Sequence, residues 1–352
     1  MKSIWGIRIS LLLNIIGLGR GPKTLKQMEG NPASGRKILI VGPGKIGIPP
    51  RGWGAIETII DESIPTFQEQ GFNVWLLNSL SVWKWLKARF MNFELVISYY
   101  DPLATRVIRN FQKSKVIGVC QYGYINDPNK WHPSYHKYFN SMTKFDCLVL
   151  MNNKMKETVR IIAPHAKLLI SSNGTSFEPE IGRNDNGPYL SLGKVEVRKS
   201  QFELYQKFKK SNLEIKFIGQ IADDRVTKLI LENPELKKVF LGERTRSELR
   251  TEFKNYKALL LLSLGEADAL VLYEAQMAGL PVFVTEEGAG AQDLELPWIN
   301  LINQDTTPET IESQTNAIKI PPEKIAEYAT NNYSWAKKNA PLIAEMWRLI
   351  SR

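Results

Sequence analysis

Cysteine, histidine and long apolar runs are all scarce in this chain. Only two cysteines occur in 352 residues, Cys120 and Cys147. Each sits inside an apolar run, and neither has CxxC or metal-ligand spacing. That excludes a disulfide scaffold and a zinc ribbon, and it predicts two buried core thiols in a reducing compartment. The three histidines, His132, His136 and His165, are too scattered for a His-rich metal site. The apolar stretch "IWGIRISLLLNIIGL" at 4–18 is interrupted by Arg8 and Asn14, whereas a spanning helix needs about 20 apolar residues. "GLGRGPK" after it lacks a small-residue cleavage site, which argues against a signal peptide. With Lys2, Arg8, Arg20, Lys23 and Lys26 around it, the segment suits a helix lying in a membrane interface or one docked on its own protein.

What the chain does have is ordinary globular composition and an uneven charge. The formal net charge is +10. Residues 1–180 hold 23 Lys+Arg against 12 Asp+Glu, or +11, and residues 181–352 hold 23 against 24, or −1. The basic excess belongs to the first half. It is either a solvated face or the footprint of an acidic partner, an anionic membrane or nucleic acid.

From residue 36 strands and helices alternate, which predicts an α/β protein with parallel sheets covered on both faces. "RKILIVG" reads as a strand, "AIETIIDESIPTFQEQG" as a helix and "FNVWLLN" as the next strand. The pattern runs on to "AKLLISS", with one polar insertion before "DCLVLMN". "SFEPEIGRNDNGP" (176–188) is the best linker, and a second series of strands and helices begins at "YLSLG". The expected organisation is an extension over 1–35, a Rossmann-like domain over 36–180, a second over 181–330 and a final helix over 331–352. Ligands in such sheets sit at the carboxyl ends of strands.

Two glycine signatures share one loop, "VGPGKIGIPPRGWGAIE" (41–57). Gly42, Gly44 and Gly47 spell the dinucleotide fingerprint, but Pro49 and Pro50 keep a helix from starting after Gly47. The second strand also ends in Leu77-Asn78-Ser79, without the acid that would hold a ribose. A dehydrogenase is therefore disfavoured. Gly52 and Gly54, directly before the helix, are the pair placed to let backbone approach a phosphate or sugar.

The chemistry concentrates in "SLGEADALVLYEAQMAGLPVFVTEEGAG" (263–290). Glu266 follows a strand, and Glu274 lies eight positions on, inside the next helix. Asp268 reads as that helix's N-cap, leaving the amides of Ala269, Leu270 and Val271 to face an anion. In "LSLGKVEVRKS" (190–200), Lys194 and Lys199 flank a strand–loop–helix turn and suit a diphosphate leaving group.

These residues resemble the retaining glycosyltransferases of family 4, from about residue 37 to residue 350. Gly52-Trp53-Gly54-Ala55-Ile56-Glu57 is similar to the family's glycine-rich loop, and Asn173-Gly174 to the pair before its interdomain linker. Gly193-Lys194 with Lys199 is similar to its "GR…K", with Lys for Arg. Phe240-Leu241-Gly242 resembles the strand end near the base, and Glu266 to Glu274 its E-x7-E. Tyr333-Ser334-Trp335 resembles the opening of its last helix.

The resemblance implies the GT-B fold, two doubly wound Rossmann-like domains facing each other across a cleft, and a last helix returning to the first domain. It implies sugar transfer from a UDP- or GDP-linked donor, which is a substrate. No cofactor is expected, and because no D-x-D occurs while Lys194, Lys199 and a helix N-terminus supply positive charge, no metal is expected either. Lys194 and Lys199 would bind the diphosphate, Glu266 the reacting sugar as catalytic residue, and Glu274 the ribose. Gly52 and Gly54 would let the first domain close over the donor. A saccharide or lipid-linked acceptor would bind mainly to the basic half. Apart from the resemblance, the two predicted buried thiols point to a cytoplasmic protein, and the basic half with the segment at 4–18 to one peripheral to the membrane. Two departures stand out: Val119-Cys120-Gln121-Tyr122-Gly123 has no histidine where many members place one, and Glu266 is followed by Ala-Asp-Ala instead of Gly-Phe-Gly. A nucleic-acid glucosyltransferase and a non-catalytic sugar-nucleotide-binding protein remain as alternatives.

Overall fold

The computed structural model describes residues 21–32, 34–52, 54–127 and 132–351. They cluster into two compact units. One comprises the described residues up to 50 with those of 54–172 and 338–351, and the other comprises 173–337 with 51 and 52. The expected helix over 4–18 lies outside the described residues.

The first unit is built on β1 (Lys23–Gln27), β2 (Arg36–Val41), α1 (Ala55–Glu69), β3 (Phe72–Ser79), α2 (Val82–Arg89), β4 (Leu95–Ser98), α3 (Ala104–Asn110), β5 (Lys115–Val119), α4 (Pro133–Met142), β6 (Cys147–Leu150), α5 (Asn153–Ile162) and β7 (Leu168–Ile170). Its strands lie in the order β1-β3-β2-β4-β5-β6-β7. All neighbours are parallel except β1, which pairs antiparallel with β3. Ile38 to Val41 are fully buried, because a parallel strand covered on both faces must be apolar throughout. β1 falls inside the stretch read as an extension, so the sheet begins earlier than residue 36. α4 occupies the end of what reads in sequence as a polar insertion, with Phe139 and Met142 its only fully buried side chains.

The second unit holds β8 (Tyr189–Leu192), α6 (Gln201–Phe208), β9 (Ile215–Ile218), α7 (Asp224–Glu232), β10 (Phe240–Gly242), α8 (Arg246–Glu252), β11 (Leu259–Leu261), α9 (Leu270–Met277), β12 (Val282–Val284), β13 (Ile299–Leu301), α10 (Pro308–Ala317) and α11 (Pro322–Tyr333). Its strand order is β10-β9-β8-β11-β12-β13, all parallel. In chain order that is 3-2-1-4-5-6, the doubly wound Rossmann arrangement. The direction of winding reverses between β8 and β11, so the loops leaving these two strands part and open a crevice at their carboxyl ends. α12 (Trp335–Ile350) ends the chain, and its residues from 338 on count with the first unit.

The segment read as a linker is not a free tether. Thr175 N donates to Tyr333 O, Glu180 N to Arg250 O and Gly182 N to Ala278 O. Phe177 is buried against Phe253 in the second unit's core. The division by contact falls between Ser172 and Asn173, ahead of the sequence boundary at 180. Both cysteines are free and buried, and no described helix is long and apolar enough to cross a membrane.

Candidate functional site

The winding reversal in the second unit brings two sequence-distant loops together. After β8, Gly193 has φ 135 and Gly219, at the end of β9, has φ 144. A Cβ on Gly219 would fall 2.1 Å from Gly193 O, and one on Gly193 would fall 2.9 Å from Lys199 Nζ. Only glycine fits either position, and the loop can therefore fold back tightly. Gln201 Nε2 ties the loop down from the start of α6, donating to Gly193 O at 3.4 Å and Lys194 O at 3.2 Å. The short 3₁₀ turn Val197–Lys199 then points its cations at the loop after β11.

Glu266 is the focus of that loop. Its Oε1 lies 3.0 Å from Arg198 Nη1 and 3.4 Å from Lys199 Nζ, and it accepts from Ser263 Oγ at 3.1 Å. Arg198 Nη1 also donates to Gly265 O, and Leu264 N donates to Arg198 O at 2.8 Å. From the β12 side, Glu266 N donates to Glu287 O at 2.9 Å. The Glu266 and Lys199 side chains are only 14% and 13% exposed. Burial by itself pushes the Glu266 carboxyl up, but the charges of Lys199 and Arg198, with the hydrogen bonds from Arg198 and Ser263, outweigh it and hold the pKa below its ordinary value. The carboxylate stays ionised in a nearly dry place because two cations share it.

Lys194 takes a different position. Its Nζ is 3.6 Å from Glu196 Oε2, within its own loop. Lys199 is at 3.4 Å from Glu266, and the Lys194 side chain is 38% exposed beside Glu196. Arg198, absent from the sequence expectation, is the nearer cation. Its signal was its place beside Lys199 in the same turn.

Glu274 sits in α9, buried at 7% exposure. Its Oε1 accepts from Arg246 Nη1 at 2.6 Å. Arg246 opens α8, where Thr245 and Glu248 form a capping box, and its guanidinium lies 4.9 Å from the centre of the Phe177 ring. Arg246 is the second residue that sequence reading missed.

One expectation is corrected. Asp268 does not cap α9. The N-cap is Ala269, and no side chain hydrogen-bonds there. The Asp268 carboxylate instead accepts from Asn173 N at 2.8 Å, Tyr273 Oη at 2.7 Å and Ala291 N at 3.2 Å. It is a structural knot that fastens the start of the second unit to α9. Leu270 and Val271 still form the first turn of α9, half-buried and buried respectively, beside a buried Ala269.

In the first unit, Gly54 is the N-cap of α1 with φ 151. A Cβ there would come within 2.6 Å of Ile46 Cδ1 and 3.2 Å of Glu57 Oε2. Gly52 is exposed, and a Cβ would meet only ordinary contact. The Gly42–Gly44 turn is held by Asn78, which accepts from Gly44 N at 2.6 Å and donates to Ile46 O at 2.7 Å. An amide thus does structural work where a dinucleotide site would carry an acid, and the helix begins at Ala55, not after Gly47. The histidine-free end of β5 is filled by tyrosines: Tyr122 lies 6.2 Å from Tyr124, and Tyr124 donates to the buried Asp101 at 2.9 Å. Burial raises the Asp101 pKa to about 7, against the opposing pull of Tyr124. His132 caps α4 by accepting from Ser134 N. Among the described residues no group of three or more His, Cys, Asp or Glu is arranged to hold a metal ion.

Residues 176–335 match the model of the glycosyl transferases group 1 family. That match covers nearly the whole of the second unit. No curated protein sequence matches the chain. Solved structures similar to it include sucrose-phosphate synthase from Thermosynechococcus elongatus, at 12% identity and TM-score 0.69, covering 90% of this chain and 98% of that one. The lipopolysaccharide outer core galactosyltransferase WaaB follows at 16% identity and TM-score 0.64, covering 88% and 99%. Anabaena HepE, solved with UDP and glucose, has 14% identity and TM-score 0.58, covering 90% and 96%. The fold, two Rossmann-like domains with parallel sheets, is the GT-B fold of these glycosyltransferases.

The ion cluster around the largely buried Glu266 makes acid stability a readout. Because the folded pKa of Glu266 lies below its ordinary value near 4.5, the stability it contributes is complete above that value and is lost as pH falls through the folded pKa. Denaturant unfolding of wild type and Glu266→Gln should therefore differ by a constant amount from pH 5 to pH 7, and converge as pH falls below the ordinary carboxylate range. A gap that stays constant or widens in acid would mean that the cations do not hold this carboxylate.

Proposed function

We propose that the chain is a retaining glycosyltransferase of the family 4 type, moving a sugar from a UDP- or GDP-linked donor to a saccharide or lipid-linked acceptor in glycan biosynthesis. The observation that carries this reading is the meeting of Glu266 with Lys199 and Arg198 at the winding reversal of a Rossmann sheet. The family match over that unit and the solved neighbours with nucleotide sugars support it.

The donor diphosphate belongs at Lys199 and Lys194, with the first turn of α9 at Ala269, Leu270 and Val271 adding the positive end of a helix. As the sugar–phosphate bond breaks, negative charge grows on the leaving oxygens, and cations already in place stabilise it without reorganising. Lys199 then exchanges part of its hold on Glu266 for a phosphate oxygen. Arg198 keeps the carboxylate ionised through that exchange. Positive charge grows on the sugar ring at the same time, and a carboxylate beside it acts more strongly on the transition state than on the ground state.

Glu274 accepts the ribose hydroxyls, its charge maintained by Arg246. Gly52, exposed, leaves its backbone open to a donor, and Gly54 shapes the loop beside it by letting Ile46 and Pro50 pack against the start of α1. The acceptor goes to the basic first half. Lys199 and Lys194 with the positive end of α9 do the work of a divalent ion, and the chain has no D-x-D sequence, so transfer needs no metal in this reading.

Glu266→Gln should lower kcat by about 10²-fold or more, the scale of losing one preorganised electrostatic group. Glu274→Gln should chiefly raise the donor KM, by the worth of about one charged hydrogen bond, roughly 1.5–3 kcal/mol. Steady-state kinetics on both variants, with folding checked by thermal melts, separates the two roles. Full kcat in Glu266→Gln would remove Glu266 from the reacting face. In a separate assay, activity should persist in excess chelator; loss that magnesium or manganese restores would overturn the metal-free reading.

A further inference from the structure

The first unit carries an exposed surface that neither nucleotide nor sugar chemistry explains. α2 is anchored on one side only. Trp85 and Ala88 are buried there, and Trp85 Nε1 donates to Ser79 O at 2.7 Å. The Arg106 guanidinium lies 4.3 Å from the centre of the same indole, which fixes the helix further. The outward side is apolar: Trp83 is 69% exposed, Leu86 38%, and Phe90, just beyond the helix, 74%. Spacings of three and four residues put these side chains on one helical face, and Val82 beside them is exposed as well.

The same stretch is basic. Lys84, Lys87 and Arg89 lie on α2, and the helix has no acidic residue. β1, which packs beside α2, presents exposed Lys23 and Lys26. A rigidly held helix with large aromatic and aliphatic side chains in water, ringed by cations, has the composition of an interface-lying helix. Nucleic acid would use the cations but leave Leu86 and Val82 without a partner. Hydrocarbon and anionic headgroups together satisfy both sets.

We propose that α2 and Phe90 form a docking face for an anionic bilayer. Trp83, Leu86 and Phe90 enter the boundary between headgroups and acyl chains, while Lys84, Lys87 and Arg89, with Lys23 and Lys26, meet the headgroup charge. The anchoring of Trp85 means that binding needs no refolding of the helix. The inference is independent of the transferase reading, because vesicle binding is measured with no nucleotide present.

The test is co-sedimentation of the full chain with phosphatidylglycerol-containing vesicles and with pure phosphatidylcholine vesicles. Wild type should bind the first, bind the second far more weakly, and release as salt rises. Trp83→Ser/Phe90→Ser should lower binding on the order of tenfold or more. Lys84→Gln/Lys87→Gln/Arg89→Gln should lower it about fivefold per cation removed. Both variants should keep the wild-type melting temperature, since the altered side chains face water. Three results would overturn the proposal. Wild type could ignore phosphatidylglycerol vesicles, or both variants could bind as wild type does, which puts the contact elsewhere in the chain. The third is concentration-dependent self-association in light scattering that Trp83→Ser/Phe90→Ser abolishes without vesicle binding, which makes the face a contact between copies.

Discussion

Glu266 is a carboxylate taken almost out of water, and it keeps its charge because two cations share one of its oxygens. The rest of the second unit is arranged to make that meeting possible. Arg198 and Lys199 follow β8, and Glu266 follows β11, so the partners are more than sixty positions apart in the chain. They meet because β8 and β11 are neighbours at the point where the winding reverses. Removing Lys199 from the buried Glu266 leaves that carboxylate with only the half-exposed Arg198, which costs more than the pair's net stabilisation. A cluster of that kind is poorly explained by stability alone.

The second glutamate repeats the logic with different partners. Glu274 is buried in α9 and paired with Arg246 from α8, which makes it a fixed acceptor. Asp268, between the two glutamates, is committed to structure. Its hydrogen bonds to Asn173, Tyr273 and Ala291 fasten the unit's first residues to α9. Three acids in one nine-residue stretch therefore divide into one beside cations of a mobile-charge site, one knot and one clamped acceptor. Burial and partner choice separate them, since their side-chain chemistry is nearly the same.

Much of this was readable in the residues. Continuous apolar runs such as Ile38–Val41 announce parallel strands, and the alternation with helices announces the doubly wound class. The apolar residues around Glu274 already argued that it was not a solvated charge. Partnerships were not readable, because they depend on which strands lie side by side. Arg198 and Arg246 look like surface cations in sequence, and the α9 cap was assigned to Asp268 on local spacing alone. Asn173, ninety-five positions away, competes for that carboxylate and wins. β1 escaped notice because its edge position exposes Lys23, Lys26 and Gln27, so it shows no apolar alternation. α4 escaped for a related reason: few of its side chains are buried.

In the proposed function the Lys199 end of this cluster receives a nucleoside diphosphate. Calorimetric titration of UDP and of GDP into the full chain, in wild type, Lys199→Met and Lys228→Met, tests it most directly. Lys228 is an exposed lysine on α7 and serves as the control. One of the two nucleotides should bind wild type and Lys228→Met alike, and bind Lys199→Met about tenfold or more weakly, the worth of a charge-assisted hydrogen bond. Binding of neither nucleotide, or equal binding to all three proteins, would contradict it.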